Sequence, residues 1–113
     1  MSDEYIPRRG DIVWLDFYPQ AGHGQAGRRP ALVLSPEPYN RKVGLMLCCA
    51  VTTRMKGYPF EVNAQGATGS EAVVLADQIK SLDWRARQVE FKTRVPLAVT
   101  KEVIAKAVTL LNP

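Results

Sequence analysis

The sequence has few of the residues that enzymes use to hold metal ions. Among its 113 residues there is one histidine, His23, and the two cysteines, Cys48 and Cys49, are adjacent. No set of histidine, aspartate and glutamate has the spacing of metal ligands, so we expect neither a metal nor another cofactor. Neighbouring cysteines cannot form a normal framework disulfide with each other, which favours a reducing, cytoplasmic compartment.

Long apolar runs, repeats and linkers are also missing. The longest apolar stretch, Leu45–Val51, is far shorter than the roughly 20 residues that a membrane-spanning helix needs. The segment Met1–Tyr5 has no basic region followed by an apolar one, so no signal peptide is expected. With 46% hydrophobic and 23% charged residues, the composition predicts one soluble domain over residues 1–113 with no membrane partner.

Two common catalytic signatures are absent as well. The chain has no GxxxxGK[ST] phosphate loop and no nucleophile elbow. A Ser–His–Asp triad stays open, because triads assemble in space rather than in sequence. The net charge of +4 and the pI near 9.3 favour an acidic partner, although so small an excess suits many proteins. Tyr58 and Trp84 lie near basic residues and either stack on unpaired bases or belong to the core or an interface.

Short stretches of β-branched, aromatic and alternating residues predict a mainly β fold. The Ser81–Arg87 segment suits either a strand or a helical turn, and a helical turn at most is expected near Pro38–Lys42. In the last predicted strand, Val89 and Phe91 should point inward. The predicted strands cover Ile12–Phe17, Ala31–Ser35, Leu45–Val51, Phe60–Val62, Ala72–Ala76 and Gln88–Lys92.

The C-terminal segment has the spacing of an amphipathic helix. Thr100 is the expected N-cap and the helix should end at Asn112–Pro113. Its apolar face would carry Val103, Ile104, Ala107, Val108 and Leu111. Five to six or more short strands and this helix predict a β-rich α+β domain, either a sheet or a small barrel with the helix packed on it.

The glycine-rich stretch Gly22–Pro30 separates the first two predicted strands. Its glycines leave the backbone free to approach a ligand, and Arg28 and Arg29 follow where the second strand begins. Such a loop can form a phosphate site, but a hairpin loop with solubilising charges is the more common case. By the same reasoning, His23 is more often an exposed loop residue than a catalyst.

Motifs spread over residues 5 to 87 resemble the MazF/PemK toxins of bacterial toxin–antitoxin systems. They are specific because several of them occur in order along one chain. The matching segments are Gly10–Trp14, Gln25–Pro36, Tyr39–Asn40, Thr52–Thr53, Lys56–Val62, Leu75–Ser81 and Trp84–Arg87.

The resemblance implies a small SH3-like barrel with a C-terminal helix, of the MazF/CcdB type, assembled as a homodimer. It also implies a sequence-specific, metal-independent endoribonuclease that inhibits translation. Such enzymes cleave single-stranded mRNA to 2′,3′-cyclic phosphate and 5′-hydroxyl ends. The implied protein partner is a MazE-like antitoxin whose acidic, largely disordered tail blocks the site, and the +4 charge suits such a tail.

Two positions match the catalytic residues of that family, the arginine at Arg29 and the threonine at Thr52. A fixed guanidinium and a hydroxyl on a stiff, β-branched side chain suit the charge that builds on a five-coordinate phosphorus. The remaining candidates would grip RNA and are Gln25, Arg28, Thr53, Lys56, Gln78, Lys80 and Ser81.

Gly24 departs from the family pattern, in which a glutamate usually stands at this place. A carboxylate there would accept the 2′-hydroxyl proton, a role worth about 10²–10⁴-fold in rate. Three accounts stay open: His23 takes over as base, the chain is an attenuated enzyme, or the loop only binds. We favour the second.

Two other functions compete with the enzyme hypothesis. The first is a non-catalytic module that binds RNA or an antitoxin, which Gly24 would suit. The second is a gyrase poison of the CcdB type, whose members share the fold and end in Trp-Gly-Ile. This sequence instead ends Leu110-Leu111-Asn112-Pro113, which argues against that function.

Overall fold

The structure is a computed structural model that describes residues 4–17, 27–64 and 66–113. These residues form six strands and two helices. In chain order they are β1 (Asp11–Asp16), β2 (Arg28–Val33), α1 (Glu37–Val43), β3 (Leu45–Thr52), β4 (Glu61–Asn63), β5 (Val73–Asp83), β6 (Glu90–Arg94) and α2 (Leu97–Thr109).

All six strands join one antiparallel sheet in the order β4-β5-β3-β2-β1-β6. The predicted β-rich α+β class with a C-terminal helix is therefore confirmed. A closed barrel is not formed by the described strands, because β4 and β6 each pair with one neighbour and lie at the two edges. Closure would require those short edge strands to meet, and nothing in the local sequence pattern encodes that long-range pairing.

Both faces of the sheet are covered by apolar side chains. On one face, Ile12 and Leu32 belong to a cluster that includes Val99 and Val103 of α2. On the other face, Val13 and its neighbours surround the almost fully buried ring of Trp84. Burial on both sides explains why the second strand is a continuous apolar run rather than an alternating one.

Helix α2 begins earlier than the sequence suggested. Pro96 is its N-cap, so Thr100 lies inside the helix and is buried, and the prediction of Thr100 as N-cap is wrong. Proline is readily accepted at a helix start because it lacks an N–H that would go unpaired there. The helix ends at Thr109, so Leu111 lies beyond it and is 74% exposed.

Two other elements differ in extent from the prediction, and one side chain differs in orientation. Helix α1 has two turns rather than one and ends at Gly44, whose φ of 83° suits a left-handed C-cap. Strand β5 is eleven residues long and takes in the first part of the ambiguous Ser81–Arg87 segment, whose remainder is a turn. Phe91 does not point inward: it is 49% exposed on the edge strand β6, edge-on to Tyr5.

A buried polar cluster around Asn40 holds the N-terminal segment, α1 and β5 together. The Asn40 amide donates to the carbonyls of Pro7 and Ser35 at 2.9 and 3.0 Å, and its oxygen accepts from the Ser35 hydroxyl at 2.6 Å. The Trp84 indole N–H donates to the Asn40 backbone carbonyl at 2.9 Å. Because every hydrogen-bonding group of the Asn40 side chain is used, its burial leaves none of these polar groups without a partner.

Cys48 and Cys49 are free thiols buried in the interior, on opposite faces of β3. Burial raises the pKa of each thiol to about 12, because the thiolate would lose its hydration. Neither described helix has the length and apolar content required to cross a membrane.

We predict that Asn40→Asp destabilises the protein by about 3–5 kcal/mol at pH 7, because it replaces two donors by a buried charge facing two carbonyls. Burial should raise the pKa of the introduced carboxyl. The deficit should therefore shrink as the pH falls through that raised pKa and the carboxyl takes up a proton. Urea unfolding at pH 7 and pH 5 measures both effects. Asn112→Asp, at an exposed position, is the control, and equal losses in the two variants would contradict the prediction.

Candidate active site

The pairing of β1 with β2 gives the two adjacent arginines different surroundings. Arg28 lies opposite Asp16 in the register, and its guanidinium forms a 2.9 Å ion pair with that carboxylate. A second nitrogen of the same group donates to the Gln88 carbonyl at 3.0 Å and meets the Glu90 carboxylate at 3.3 Å. Arg28 is therefore occupied within the protein.

Arg29 is one residue further along β2 and faces the other side of the strand. It is exposed, and its side chain forms no hydrogen bond or ion pair with any residue of the described ranges. No described residue therefore occupies any of the five donors of its guanidinium.

Three cavities meet at Thr52, the last residue of β3. Their volumes are about 520, 450 and 230 Å³, and Thr52 lines all of them. Arg29 lines the first and third, Arg54 the first and second, and Gln78 the second and third. Shared walls make these cavities one branched groove at one end of the sheet, which we call the Thr52 groove.

The Thr52 hydroxyl is oriented by the backbone that follows it. Its oxygen accepts a hydrogen bond from the Arg54 amide at 3.0 Å. Its own proton has no acceptor among the described residues, so it is free to be donated to a ligand. Arg29 and Thr52 therefore offer a guanidinium and a hydroxyl to the same part of the groove.

Positive charge dominates the walls of the Thr52 groove. Its cationic residues are Arg29, Arg54, Lys56, Lys80 and Lys92. Among the described residues, Glu61 supplies the one carboxylate that lines the groove. This carboxylate accepts hydrogen bonds from the backbone amides of Lys56 and Gly57 at 2.8 Å each. Such a groove favours an anionic ligand that needs hydrogen-bond donors.

An aromatic residue closes the second cavity. The Tyr58 hydroxyl donates to the Asp77 carboxylate at 2.8 Å, and this hydrogen bond is the main reason that the pKa of Tyr58 is raised to about 12. The phenol therefore stays protonated at neutral pH and can contribute stacking surface rather than a base.

Residues that the sequence analysis did not propose as site residues also form the groove. Trp14 lies beside Pro30, its partner in the register, and the Lys92 ammonium sits 5.1 Å from the centre of its ring. Arg54, Thr68 and Ser70 complete the first cavity. The position of Trp14 two residues after the buried Ile12 indicates a partly buried face, but only the register brings it beside Thr52.

Most of the predicted RNA-binding residues lie along this groove. Thr53 lines the first cavity, Lys56 lines the second and Lys80 lines the third. Gln78 lines both the second and the third. Ser81 is exposed on β5 and lines none of the three. The predictions for His23, Gly24 and Gln25 concern residues outside the described ranges. Within the described residues, no three histidine, cysteine, aspartate or glutamate side chains are close enough to hold a metal ion.

Comparisons with known proteins agree on one family. Residues 8–111 match the family described as PemK-like, MazF-like toxins of type II toxin–antitoxin systems. The Endoribonuclease toxin MazF of Escherichia coli (strain K12) is 47% identical over 99% of this chain and its own full length. The Endoribonuclease toxin ChpB of the same strain is 35% identical over 92% of this chain and 90% of its own length.

Solved structures show the same similarity. The crystal structure of MazF from Deinococcus radiodurans is 55% identical, covers 96% of this chain and 98% of its own, and superimposes with a TM-score of 0.85. The MazF in a MazE–MazF complex from that organism gives the same coverage and TM-score at 48% identity. The chain therefore belongs to the family of PemK-like, MazF-like toxins of type II toxin–antitoxin systems.

Proposed function

We propose that the protein is a toxin that acts as a sequence-specific endoribonuclease on single-stranded mRNA in the cytoplasm. The observation that carries the proposal is the meeting of two donors that no described residue engages, Arg29 and the Thr52 hydroxyl, at the junction of three cationic cavities. The relatives named endoribonucleases, at 47% and 35% identity, support the same activity.

The proposed reaction is an internal transfer at one phosphodiester. The 2′-oxygen attacks the adjacent phosphorus, the bond from phosphorus to the 5′-oxygen breaks, and the products are a 2′,3′-cyclic phosphate and a 5′-hydroxyl. The 2′-hydroxyl proton passes to a base, and the leaving 5′-oxygen takes up a proton. No water is consumed and no redox change occurs, so the chemistry requires no metal or organic cofactor.

Arg29 and Thr52 would act on the phosphorus through its nonbridging oxygens. Negative charge on these oxygens increases in the five-coordinate transition state, and donors fixed in advance stabilise it more than they stabilise the ground state. Arg29 supplies charge and paired donors, while Thr52 supplies one donor whose direction is set by the Arg54 amide. Lys56, Gln78 and Lys80 lie along the groove, where the flanking nucleotides would bind.

The proposed mechanism also needs a general base that accepts the 2′-hydroxyl proton. Glu61 is engaged by two backbone amides, and Tyr58 holds its proton because of Asp77. The Gly22–Pro30 stretch, to which Arg29 belongs, contains His23 but has Gly24 where the family usually has glutamate. We propose that the chain is attenuated for lack of this carboxylate.

The proposed protein partner is a MazE-like antitoxin. The MazE–MazF structures of Deinococcus radiodurans are complexes of related toxins with such partners. Five cations line the Thr52 groove, so an acidic chain segment could occupy it in place of RNA. Binding there would cover the donors that the reaction needs.

We further propose a homodimer. Leu47 and Ile79 lie on the same face of the paired strands β3 and β5, diagonal to each other, and are 40% and 38% exposed. Val43 at the end of α1 is 49% exposed. A second copy covering these side chains would remove that apolar surface from water.

Arg29→Ala is predicted to lower the rate of RNA cleavage by at least about 10²-fold, because it removes the main charge at the reacting phosphate. Its thermal stability should stay that of the parent, since Arg29 has no partner among the described residues. Thr52→Val should also lose about 10²-fold or more. Cleavage of a long single-stranded RNA in EDTA, with the new ends mapped, measures both effects.

Two neighbouring positions supply the matched controls. Arg28→Ala removes the same charge one residue away and should lower stability, because it leaves Asp16 unpaired, while the folded fraction still cleaves. Thr53→Val makes the same change as Thr52→Val at the next residue and should cost far less. Cleavage that persists at the parental rate in Arg29→Ala would overturn the assignment.

Gly24→Glu is predicted to raise the cleavage rate by about 10²–10⁴-fold, because it supplies a general base. The cut sites should stay the same, as the change adds a proton acceptor and leaves the groove residues in place. Equal rates in the two proteins would show that position 24 is dispensable and would make His23→Gln the next variant. If neither protein cuts RNA but both bind it, the non-catalytic binding module replaces the enzyme.

Sedimentation equilibrium is predicted to give about twice the 12.5 kDa mass of one chain. Ile79→Glu should reduce this mass to that of a monomer, because it places a charge within the proposed apolar contact. Leu97→Glu, at a residue that is 67% exposed on α2, is the control and should remain dimeric. A parental mass of one chain would contradict the dimer, whereas a dimeric Ile79→Glu variant would exclude only this interface.

A further inference from the structure

A second cationic cavity lies at the opposite end of the sheet from the Thr52 groove. It has a volume of about 380 Å³, and its walls include Arg8, Arg9, Arg94 and the start of α2. Arg94 pairs with Asp11 at the beginning of β1, whereas Arg29 pairs with Leu15, four residues or roughly 13 Å further along that strand. We call this second space the α2 cavity.

The three arginines of the α2 cavity differ in how many hydrogen bonds their guanidinium groups form within the protein. Arg94 donates to the buried Asp11 carboxylate and, at 3.1 Å, to the Arg9 carbonyl. Arg9 donates through Nε to the Leu34 carbonyl at 2.7 Å, which leaves its two terminal nitrogens unused by any described group. The side chain of Arg8 is exposed and has no partner in the described ranges. Two positioned guanidinium groups and one free one therefore surround the space.

The N-terminus of α2 adds further donors to the same wall. Leu97, the first residue of this 13-residue helix, lines the cavity. Pro96, the N-cap, offers no side-chain cap, and the first turn contains no acidic residue. The amides of Leu97 and Ala98 have no carbonyl partner within the helix, and the helix dipole favours negative charge beside them.

An independent observation also points to a ligand here. Thr100 lines the α2 cavity and is only 2% exposed, yet its hydroxyl has no hydrogen-bond partner among the described residues. A Cβ placed on Gly10 would lie 3.5 Å from this hydroxyl and 3.6 Å from Nη2 of Arg94, so both groups border the same space beside Gly10. A buried hydroxyl without a partner is costly, and an anion that accepts its proton would remove that cost.

The carboxylates near the α2 cavity are already neutralised. Glu37, which lines it, is paired with Arg41. Asp11, beneath it, accepts from Arg94, from the Tyr5 hydroxyl and from the Arg8 amide. The wall therefore keeps a surplus of positive charge.

We propose that the α2 cavity binds a phosphate group, either as inorganic phosphate or as the 5′-phosphate of a mononucleotide. Guanidinium groups bind phosphate oxygens in pairs, and helix amides and a hydroxyl complete a set of donors for a tetrahedral dianion. This site is separate from the Thr52 groove, and it does not depend on the proposed nuclease activity.

The test is a titration of the whole chain with inorganic phosphate, in which binding is monitored through the amide chemical shifts in NMR spectra. Shifts of the Gly10, Leu97 and Ala98 amides should saturate together and give a Kd. Arg8→Gln should raise this Kd about tenfold, because one charge-assisted contact is lost. Thr100→Val should also raise it about tenfold and keep the fold, because valine has the same shape and the lost hydroxyl has no partner among the described residues.

Lys101→Gln is the matched control, since it removes one charge from the neighbouring residue of α2, which is not part of the cavity wall. Its Kd should change less than twofold. The same titration in Arg29→Ala should leave the shifts at α2 intact, which separates this site from the groove. Absent shifts at these amides, or equal effects of Lys101→Gln and Arg8→Gln, would overturn the proposal.

Two further titrations identify the source of the phosphate. Adenosine 5′-monophosphate that binds more tightly than inorganic phosphate, with adenosine alone inactive at this site, would indicate a nucleotide. Equal Kd values for the two phosphates would indicate that the free anion is sufficient. Binding of adenosine as tight as that of its monophosphate would contradict a phosphate site.

Discussion

The ion pair between Arg28 and Asp16 is the contact from which the geometry of the groove follows. It joins residues directly opposite each other on β1 and β2, so it fixes the register of the two strands where β2 begins. In a strand, neighbouring side chains point to opposite faces. Once Arg28 faces Asp16, Arg29 must face the other way, towards Thr52, where no carboxylate of the described chain neutralises it.

Both ends of the sheet carry clusters of positively charged side chains. Apolar clusters cover both faces along the centre of the strands, and helix α2 and the Trp84 ring complete them. Arginines and lysines collect around the Thr52 groove and the α2 cavity, and the exposed middle of β5 contributes Gln78 and Lys80 to the groove. The Asn40 cluster connects the N-terminal segment to α1 and Trp84, and so supports the wall from which Arg8 and Arg9 project.

Local patterns in the sequence predicted much of the fold. The strand positions follow from β-branched and alternating runs, and the C-terminal helix follows from the spacing of Val103 and Ala107. The start of that helix was missed because Thr100 satisfies the rule for an N-cap, whereas Pro96 starts the helix four residues earlier. The exposure of Phe91 and the open sheet depend on which strands lie at the edges, and this is decided by pairings between distant parts of the chain.

The candidate site was likewise only partly predictable from the sequence. The family resemblance indicated Arg29 and Thr52, and several of the expected RNA-binding positions do line one groove. Adjacent arginines are equivalent in the sequence, however, and only the register shows that Arg28 is occupied while the side chain of Arg29 has no partner among the described residues. Trp14, Arg54 and Lys92 come from three separate segments. Their proximity is a property of the folded sheet that no single window of sequence contains.

The two buried thiols have a practical meaning for any study of this chain. A thiol with a pKa near 12 is almost entirely protonated at neutral pH, and alkylating reagents and oxidants react with the thiolate. Cys48 and Cys49 lie in different apolar clusters, so a reagent reaches either one only when the sheet opens. The rate at which the native protein takes up a thiol label therefore measures how often its central strand comes apart.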